Sequence, residues 1–461
     1  MRELPNLAEA QCATVPSVIL DQYRCQPVIS SFSIVDGLNR KNGFFRLGPD
    51  LVCYGRSTSP VAAAKLSGPI SDALPDVRLS SNTISLPFDM NEVVDNLRYE
   101  RYATASGWRA WVQGSWVADI YYHSRSLLPV PVRKYFQRAY LRDWDSIQFP
   151  GWPLDRTVDF FLGRLLVLGM KQSGIKRLPF IWFWPHGHKA CATVTHDVET
   201  MLGRDFSCGL MDIDDAFGIK ASFQVVPEKR YEVPHEYLQT IRNRGFELNV
   251  HGLNHDGNLF GERELFLKQA EKINRYAKQY GAVGFRSPAL YRHADWFQDL
   301  NFSYDMSVPN VARLEAQRGG CCTVMPYFLP GGMTELPLTT TEDYTLFHVL
   351  NDFSMTLWKR QLSTILEAHG LITILVHPDY VLTKKPQDLY KELLEEVCRL
   401  RTDRGVWVTL PREVDCWWRQ RSAMNLVGDG TTWRIEGDQS ERAKVAHACL
   451  DGDRLVYEIE S

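Results

Sequence analysis

Residues 190–199 read Ala-Cys-Ala-Thr-Val-Thr-His-Asp-Val-Glu, an apolar β-type run that ends in polar side chains. Similar apolar runs recur along the same half of the chain, at 180–184, 221–226, 246–250, 283–285, 372–376 and 406–410. Helical patterns fall between several of them, at 234–244, 262–280 and 387–402. Repeated alternation of strand and helix predicts parallel strands covered by helices, in an α/β barrel or an open α/β sheet.

Four of these runs are followed at once by polar clusters. The clusters read Thr195-His196-Asp197-Val198-Glu199, His251-Gly252-Leu253-Asn254-His255, Arg286-Ser287-Pro288 and His377-Pro378-Asp379. In α/β folds ligand sites gather at the carboxyl ends of parallel strands. The four clusters therefore predict one shared site, although each cluster alone is a common sequence.

The histidines of the second cluster are candidates for metal ligands. His251 and His255 are four residues apart, and one helical turn would place their side chains on the same face, about 5–6 Å apart at Cβ. Two imidazoles and one carboxylate form a three-ligand site for a divalent metal with open positions. Asp197 and Glu199 would face the same side of a continuing strand, so one can ligate while the other takes a proton from water.

Two further residues complete the expected chemistry. His377 is placed to approach from the opposite side as a general acid. Arg286 is placed to hold a nearby carboxylate ionised and oriented. The pair His186 and His188 also resembles a metal pair, but it precedes the strand that carries Asp197 and is interpreted as structural.

Composition bounds the class of protein. The chain has 461 residues, which at roughly 150 residues per domain predicts about three domains or one large domain with additions. Hydrophobic residues make up 44% and the formal net charge is -3, which argues against a disordered chain and a nucleic-acid partner. The ten cysteines form no CxxC pair. No transmembrane segment or secretory signal is recognisable, so a cytoplasmic location is expected, and the oligomeric state stays open.

The remaining sequence predicts a division into four regions. Residues 1–105 are β-rich, residues 106–177 are helical, residues 178–420 hold the strand–helix alternation, and residues 421–461 form a small β tail.

At the polar clusters the sequence resembles the polysaccharide deacetylase family, the NodB-homology group of carbohydrate esterases. The family's first motif is Thr-Phe-Asp-Asp-Gly, with an Asp-x-Asp variant. The resemblance therefore gives Asp197 the role of catalytic base. Val198 stands where the adjacent aspartate would be and cannot ligate, so the ligand role passes to Glu199. The second motif, His-Ser/Thr-x-x-His, matches His251 and His255 as metal ligands.

The later motifs match in part. The third motif, Arg-x-Pro-Tyr, matches Arg286 to Pro288, and Ala289 stands in the place of the tyrosine. The resemblance assigns Pro288 and Ala289 to the substrate and oxyanion site, where the backbone NH of Ala289 would bind the oxyanion. Asp305, in Phe-Ser-Tyr-Asp-Met-Ser, resembles the family's Tyr-Asp-Ser-Ser strand. The supporting aspartate of the fourth motif is assigned to Asp343, and Leu-x-His makes His377 the general acid.

The resemblance implies a deformed (β/α) barrel of about seven strands and a divalent metal, most often zinc. It implies removal of N-acetyl groups from a glycan or glycan precursor. Two alternatives stay open. One is a hydrolase of a small non-peptide C–N bond, as in a cyclic imide, ureide or amide. The other is a catalytically inactive carbohydrate-binding or scaffold module.

Overall fold

The computed structural model describes residues 17–26, 29–61, 66, 69–105, 141, 143–430 and 432–460. The contacts among residues divide the chain into two compact units, each built from separate segments. The barrel unit comprises Gly107–Asp155 and Lys189–Cys416, and the second unit comprises Met1–Ser106, Arg156–His188 and Trp417–Ser461. Residues 106–140 and 142 of the region predicted to be helical lie outside the described residues. The four predicted regions along the sequence stay a prediction.

The barrel unit is built on a nine-stranded sheet. Its strands are β7 (Ala190–Val198), β8 (Ser222–Val225), β9 (Glu247–His251), β10 (Gly284–Arg286), β11 (Tyr304–Asp305), β12 (Tyr327–Phe328), β13 (Thr334–Glu335), β14 (Leu371–Leu375) and β15 (Val406–Val408). Seven of them run parallel in the order β13-β11-β10-β9-β8-β7-β14. The strand β12 pairs antiparallel with β13, and β15 pairs parallel with the start of β7.

Side chains join the two ends of this seven-strand path. The hydroxyl of Thr339, just after β13, donates to the Leu371 carbonyl and accepts from the Thr373 NH of β14, at 2.8 and 2.9 Å. The hydroxyl of Thr340 donates to the Thr373 carbonyl at 2.8 Å. Hydrogen bonds of threonine hydroxyls thus replace backbone pairing between the β13 end of the path and β14. The fold is a deformed (β/α) barrel of seven parallel strands, as the family resemblance implies.

Helices separate the strands of the barrel unit. They are α5 (Met201–Ala216), α6 (His235–Asn243), α7 (Arg263–Tyr280), α8 (Thr356–Glu367) and α9 (Lys384–Arg404), and α10 (Pro411–Ala423) contributes residues to both units. The helix α7 has apolar residues such as Phe266, Ala270 and Ile273 on its buried side, at the three- and four-residue spacing of an amphipathic helix. Every residue of β7, β9 and β14 is buried, which is typical of strands covered by helices.

The second unit is a mixture of short sheets and helices. Its strands are β1 (Ser31–Ile34), β2 (Gly43–Arg46), β3 (Val52–Gly55), β4 (Arg78–Leu79), β5 (Thr83–Leu86), β6 (Arg177–Ile181), β16 (Asn425–Gly428), β17 (Trp433–Glu436), β18 (Val445–Asp451) and β19 (Arg454–Ile459). Its helices are α1 (Ser17–Tyr23), α2 (Met90–Arg98), α3 (Arg101–Ala105) and α4 (Thr157–Gln172). The strands β16 and β17 pair antiparallel, and so do β18 and β19.

One predicted strand belongs to a different sheet. The run at 180–184 overlaps β6, which pairs antiparallel with β18 in the second unit rather than with β7. Periodicity identifies a buried strand but not its partner, and β18 lies more than 260 residues further along the chain. Within the described residues, no helix combines the length and the apolar character that a membrane span requires. Every described cysteine is a free thiol.

Candidate metal centre at the strand ends

The three predicted ligands meet at the carboxyl ends of β7 and β9. The ligand atoms of Glu199, His251 and His255 all lie within 4.8 Å of one another. Glu199 Oε1 lies 2.7 Å from His255 Nε2 and 3.5 Å from His251 Nε2. The carboxylate of Glu199 is therefore the centre of the cluster.

The helical turn predicted between the two histidines is wrong. His251 is the last residue of β9, and the chain then turns with φ of 62° at Gly252 and 55° at His255. A Cβ at Gly252 would overlap the ring of Pro288, so both the backbone angle and the close packing require glycine. The turn nevertheless brings the rings together, with centroids 5.1 Å apart for His251 and His255.

The three side chains fit a divalent metal. His251 Nδ1 lies 3.1 Å from the Arg286 carbonyl oxygen, which can only accept, so Nδ1 carries the proton and Nε2 presents its lone pair to the cluster. His251 Nε2 is buried and makes no hydrogen bond, and a buried polar atom in that state calls for a partner. Zinc ligands at about 2.0–2.2 Å from the ion lie roughly 3–4 Å apart in a tetrahedral site, close to the observed spacing.

The predicted base is held by the predicted arginine. Arg286 Nη1 donates to Asp197 Oδ1 at 2.9 Å and to the Thr195 hydroxyl at 2.8 Å, and its Nε donates to the Met306 carbonyl at 2.9 Å. The second carboxylate oxygen of Asp197 lies 3.7 Å from His251 Nε2. Burial opposes the charge of Asp197, but the Arg286 guanidinium outweighs it, so the pKa of Asp197 is lowered and the carboxylate is ionised.

Glu199 is also ionised. Burial would raise its pKa, but the charge of the neighbouring His255 ring and the hydrogen bond from that ring outweigh burial and hold the pKa of Glu199 well below its ordinary value. An ionised carboxylate beside a neutral imidazole is the ligand type that zinc takes in hydrolytic sites.

His377 approaches the cluster from the end of β14. Its Nε2 lies 3.6 Å from Glu199 Oε1, and its Nδ1 lies 2.7 Å from Asp343 Oδ1. The other oxygen of Asp343 accepts the backbone NH of His377 at 2.8 Å. Burial would lower the pKa of His377, but the charges of Asp343 and Glu199 outweigh it and raise that pKa well above the ordinary value. The aspartate next to the imidazole keeps it oriented and favours its protonated form.

Asp305, Pro288 and Ala289 are predicted site residues outside the set of metal ligands. Asp305 accepts from the NH and the hydroxyl of Ser307, at 3.0 and 2.6 Å, and that hydroxyl in turn accepts the NH of Ser287 at 2.8 Å. Asp305 thereby fixes the segment that carries Arg286. Ala289, next to Pro288, has φ of 52°, a strained angle for a residue with a Cβ.

Sequence reasoning missed two acidic side chains near His377. The hydroxyl of Thr345 lies 3.3 Å from Glu342 Oε1 and 3.5 Å from Glu315 Oε1. Burial, and then the charge of Glu315, raise the pKa of Glu342 well above its ordinary value, and burial raises the pKa of Glu315 to about 7. The only sequence signal is that Glu342 precedes Asp343, because Glu315 lies in a loop without a motif.

Comparisons with known proteins give structural likeness only. No family model and no curated protein matches the chain. A Mycobacterium smegmatis protein described as a polysaccharide deacetylase is 18% identical, with 54% of this chain and 96% of that one covered and a TM-score of 0.44. An allantoinase is 13% identical, with 51% and 92% covered and a TM-score of 0.40. A Bordetella bronchiseptica protein described as a polysaccharide deacetylase of O-antigen biosynthesis is 19% identical, with 50% and 84% covered and a TM-score of 0.32. All three TM-scores are below 0.5.

Proposed function

We propose that the chain is a metal-dependent hydrolase that removes N-acetyl groups from a glycan or glycan precursor. One observation carries the proposal. Glu199 Oε1 lies within 3.6 Å of the Nε2 atoms of His251, His255 and His377. Two buried charged pairs lie beside Glu199. They are Asp197 with Arg286 and Asp343 with His377.

The metal ligands would be Glu199, His251 and His255. A divalent ion bound there, zinc in this proposal, would act as a Lewis acid that polarises a carbonyl and lowers the pKa of water. The proton transfers would be carried out by side chains that lie around these ligands. Amide hydrolysis requires a base for the attacking water and an acid for the leaving nitrogen.

Asp197 is the proposed base. Its Oδ1 is occupied by Arg286, whereas its Oδ2 points towards His251 Nε2, so Oδ2 is the atom that would take the proton of the attacking water. Arg286 keeps the carboxylate ionised before the reaction and fixes its direction.

His377 is the proposed acid. Its Nδ1 is bonded to Asp343 and its Nε2 faces the cluster, so Nε2 would give its proton to the leaving amine. The backbone NH of Ala289 is the proposed donor to the developing oxyanion. Acetate and a free amino sugar would be the products.

The glycan part of the proposal is supported by the motifs rather than by the geometry. The matched stretches are Thr195 to Glu199, His251 to His255, Arg286 to Pro288 and Leu375 to His377. The same catalytic groups would suit a small cyclic amide or ureide. Acetate release from N-acetylated oligosaccharides, assayed beside ring opening of cyclic imides and ureides by the same zinc-loaded protein, separates the two substrate classes. Ring opening without acetate release would contradict the glycan assignment. The predicted cytoplasmic location stays a prediction, which cell fractionation would test.

A further inference from the structure

His196 is a fully buried histidine between Thr195 and the proposed base Asp197. It lies on the side of β7 that faces the helices, where its ring contacts Phe223, with centroids 4.9 Å apart, and Tyr390, at 5.9 Å. The family motif that the stretch resembles has phenylalanine at this position. A buried imidazole in place of an apolar ring is costly unless both nitrogens have partners, so the two contacts of the ring need a reason.

The first contact joins β7 to β14, the strands that lead to the proposed base Asp197 and the proposed acid His377. The ladder between β7 and β14 ends with Leu375 opposite Thr195, and the Val376 NH then donates to the Thr195 carbonyl at 3.1 Å. One step further, His196 Nδ1 lies 2.8 Å from the Val376 carbonyl oxygen. Because a carbonyl can only accept, Nδ1 carries the proton of this bond. The side chain of His196 thus extends the strand pairing by one bond, up to the residue before His377.

The second contact anchors the ring to two helices. His196 Nε2 lies 3.0 Å from Asp214 Oδ2 of α5, and the Tyr390 hydroxyl of α9 donates to Asp214 Oδ1 at 2.5 Å. Asp214 and Tyr390 are fully buried, as His196 is. A ring held at both nitrogens has one orientation, so the bond to Val376 has a fixed direction and length.

We propose that His196 is a positioning residue that sets the separation between Asp197, the neighbour of His196 on β7, and His377, the neighbour of Val376 at the end of β14. This inference rests on the proposed function, because it assigns to those two residues the roles of base and acid. Hydrolysis needs both groups at the reacting atoms at once, and a misplacement of about 1 Å can cost roughly 100-fold in rate.

Two substitutions separate the two contacts of the ring. In His196→Asn the amide nitrogen lies near the place of Nδ1, so the bond to Val376 is kept and the bond to Asp214 is lost. In His196→Gln the amide lies near the place of Nε2, so the bond to Asp214 is kept and the bond to Val376 is lost. Each variant removes one hydrogen bond of a buried polar group, so both variants should lose stability.

The experiment compares kcat, KM, zinc content and the imidazole NMR signals of the zinc-free protein for wild type and both variants. We expect kcat of His196→Gln to fall about tenfold or more with KM and zinc content unchanged, and kcat of His196→Asn to stay within about threefold of wild type. The Nδ1–H signal of His377, assigned by its loss in His377→Gln, should shift or broaden in His196→Gln only. If one variant does not fold, Asp214→Asn, which keeps the Val376 bond, should behave as His196→Asn does.

Equal kcat values in the two variants, with the His377 signal unchanged in both, would overturn the positioning role and leave His196 a stabilising residue. The NMR signals need neither metal nor substrate. Failure of wild type to release acetate would therefore count against the proposed function, while the His377 signal would still test His196.

Discussion

Asp343 holds His377 at two points, with one carboxylate oxygen 2.7 Å from the imidazole Nδ1 and the other 2.8 Å from the backbone NH of the same residue. Both side chains are buried. The two contacts fix the position of the backbone and the direction of the ring together, so that Nε2 faces Glu199. A general acid needs this kind of fixed direction because proton transfer depends on hydrogen-bond geometry at the leaving atom.

Replacing Asp343 with asparagine should lower kcat by about 100-fold or more while zinc remains bound, because the imidazole loses its charged partner and its orientation. His377→Ala should cost a similar factor. The double variant should cost little more than either single variant, because the two residues act as one unit. Steady-state kinetics with zinc analysis measures these losses, and Asp388→Asn, on the exposed face of α9, serves as the control. Full additivity of the two losses would contradict the coupling.

Arg286→Lys should impair catalysis without loss of metal. Lysine keeps the charge but cannot bond Asp197, Thr195 and the Met306 carbonyl at once, as the guanidinium does. We expect kcat to fall by about tenfold or more and zinc content to stay at the wild-type level. Arg412→Lys, at a half-exposed side chain, is the control. An Arg286→Lys enzyme with wild-type kcat would show that the orientation of Asp197 is unimportant.

The buried carboxyl of Glu335 should make the barrel unit less stable as the pH rises. Burial, and then the charge of Asp305 beside it, raise the pKa of Glu335 well above its ordinary value. The folded protein therefore holds this proton more tightly than the unfolded chain does. The stabilisation is complete below the ordinary carboxyl pKa and is lost as the pH rises through the folded pKa.

Urea denaturation at a series of pH values from about 4.5 upwards measures this dependence. In Glu335→Gln the amide can replace the protonated carboxyl, accepting from the Val308 NH, which bonds Glu335 Oε1 at 3.0 Å in the wild type. The variant should lose part of the decline in the free energy of unfolding with rising pH. An equally steep decline in wild type and variant would show that Glu335 does not hold the proton.

Gly252→Ala should destabilise the protein more than Gly405→Ala does. Both glycines have positive φ, 62° and 65°, so both substitutions carry a backbone cost of about 1–2 kcal/mol. A Cβ at Gly252 also meets the ring of Pro288, whereas nothing lies within 4 Å of one at Gly405. We expect an additional loss of about 1–3 kcal/mol at Gly252, measured by urea denaturation. Equal losses would mean that Pro288 moves away without cost.

The sequence predicts parallel strands covered by helices, and the site at their ends, because both depend on local patterns. The apolar runs that become β7, β9 and β14 are each followed by the polar residues that meet in the structure, since parallel strands bring their carboxyl ends to one edge. The position of β6 could not be predicted, because its partner β18 is recognised by packing and not by any pattern in β6 itself.

The same limit applies inside the site. The His251–His255 spacing predicts proximity, but the turn that produces it depends on Gly252 fitting against Pro288, which is distant in sequence. Likewise Thr339 and Thr340, which join the β13 end of the sheet to β14, have no pattern of their own. Asp343 is assigned by resemblance alone, and only the folded chain shows that it bonds His377.

The most direct test of the account is elemental analysis of the purified wild-type protein beside the His251→Ala/His255→Ala double variant, with acetate release from N-acetylated glycans assayed on the same samples. We predict about one zinc ion per wild-type chain, and loss of both the zinc and the acetate release in the variant. Equal acetate release by the metal-free variant, or no bound divalent metal in wild type even after reconstitution, would contradict the account.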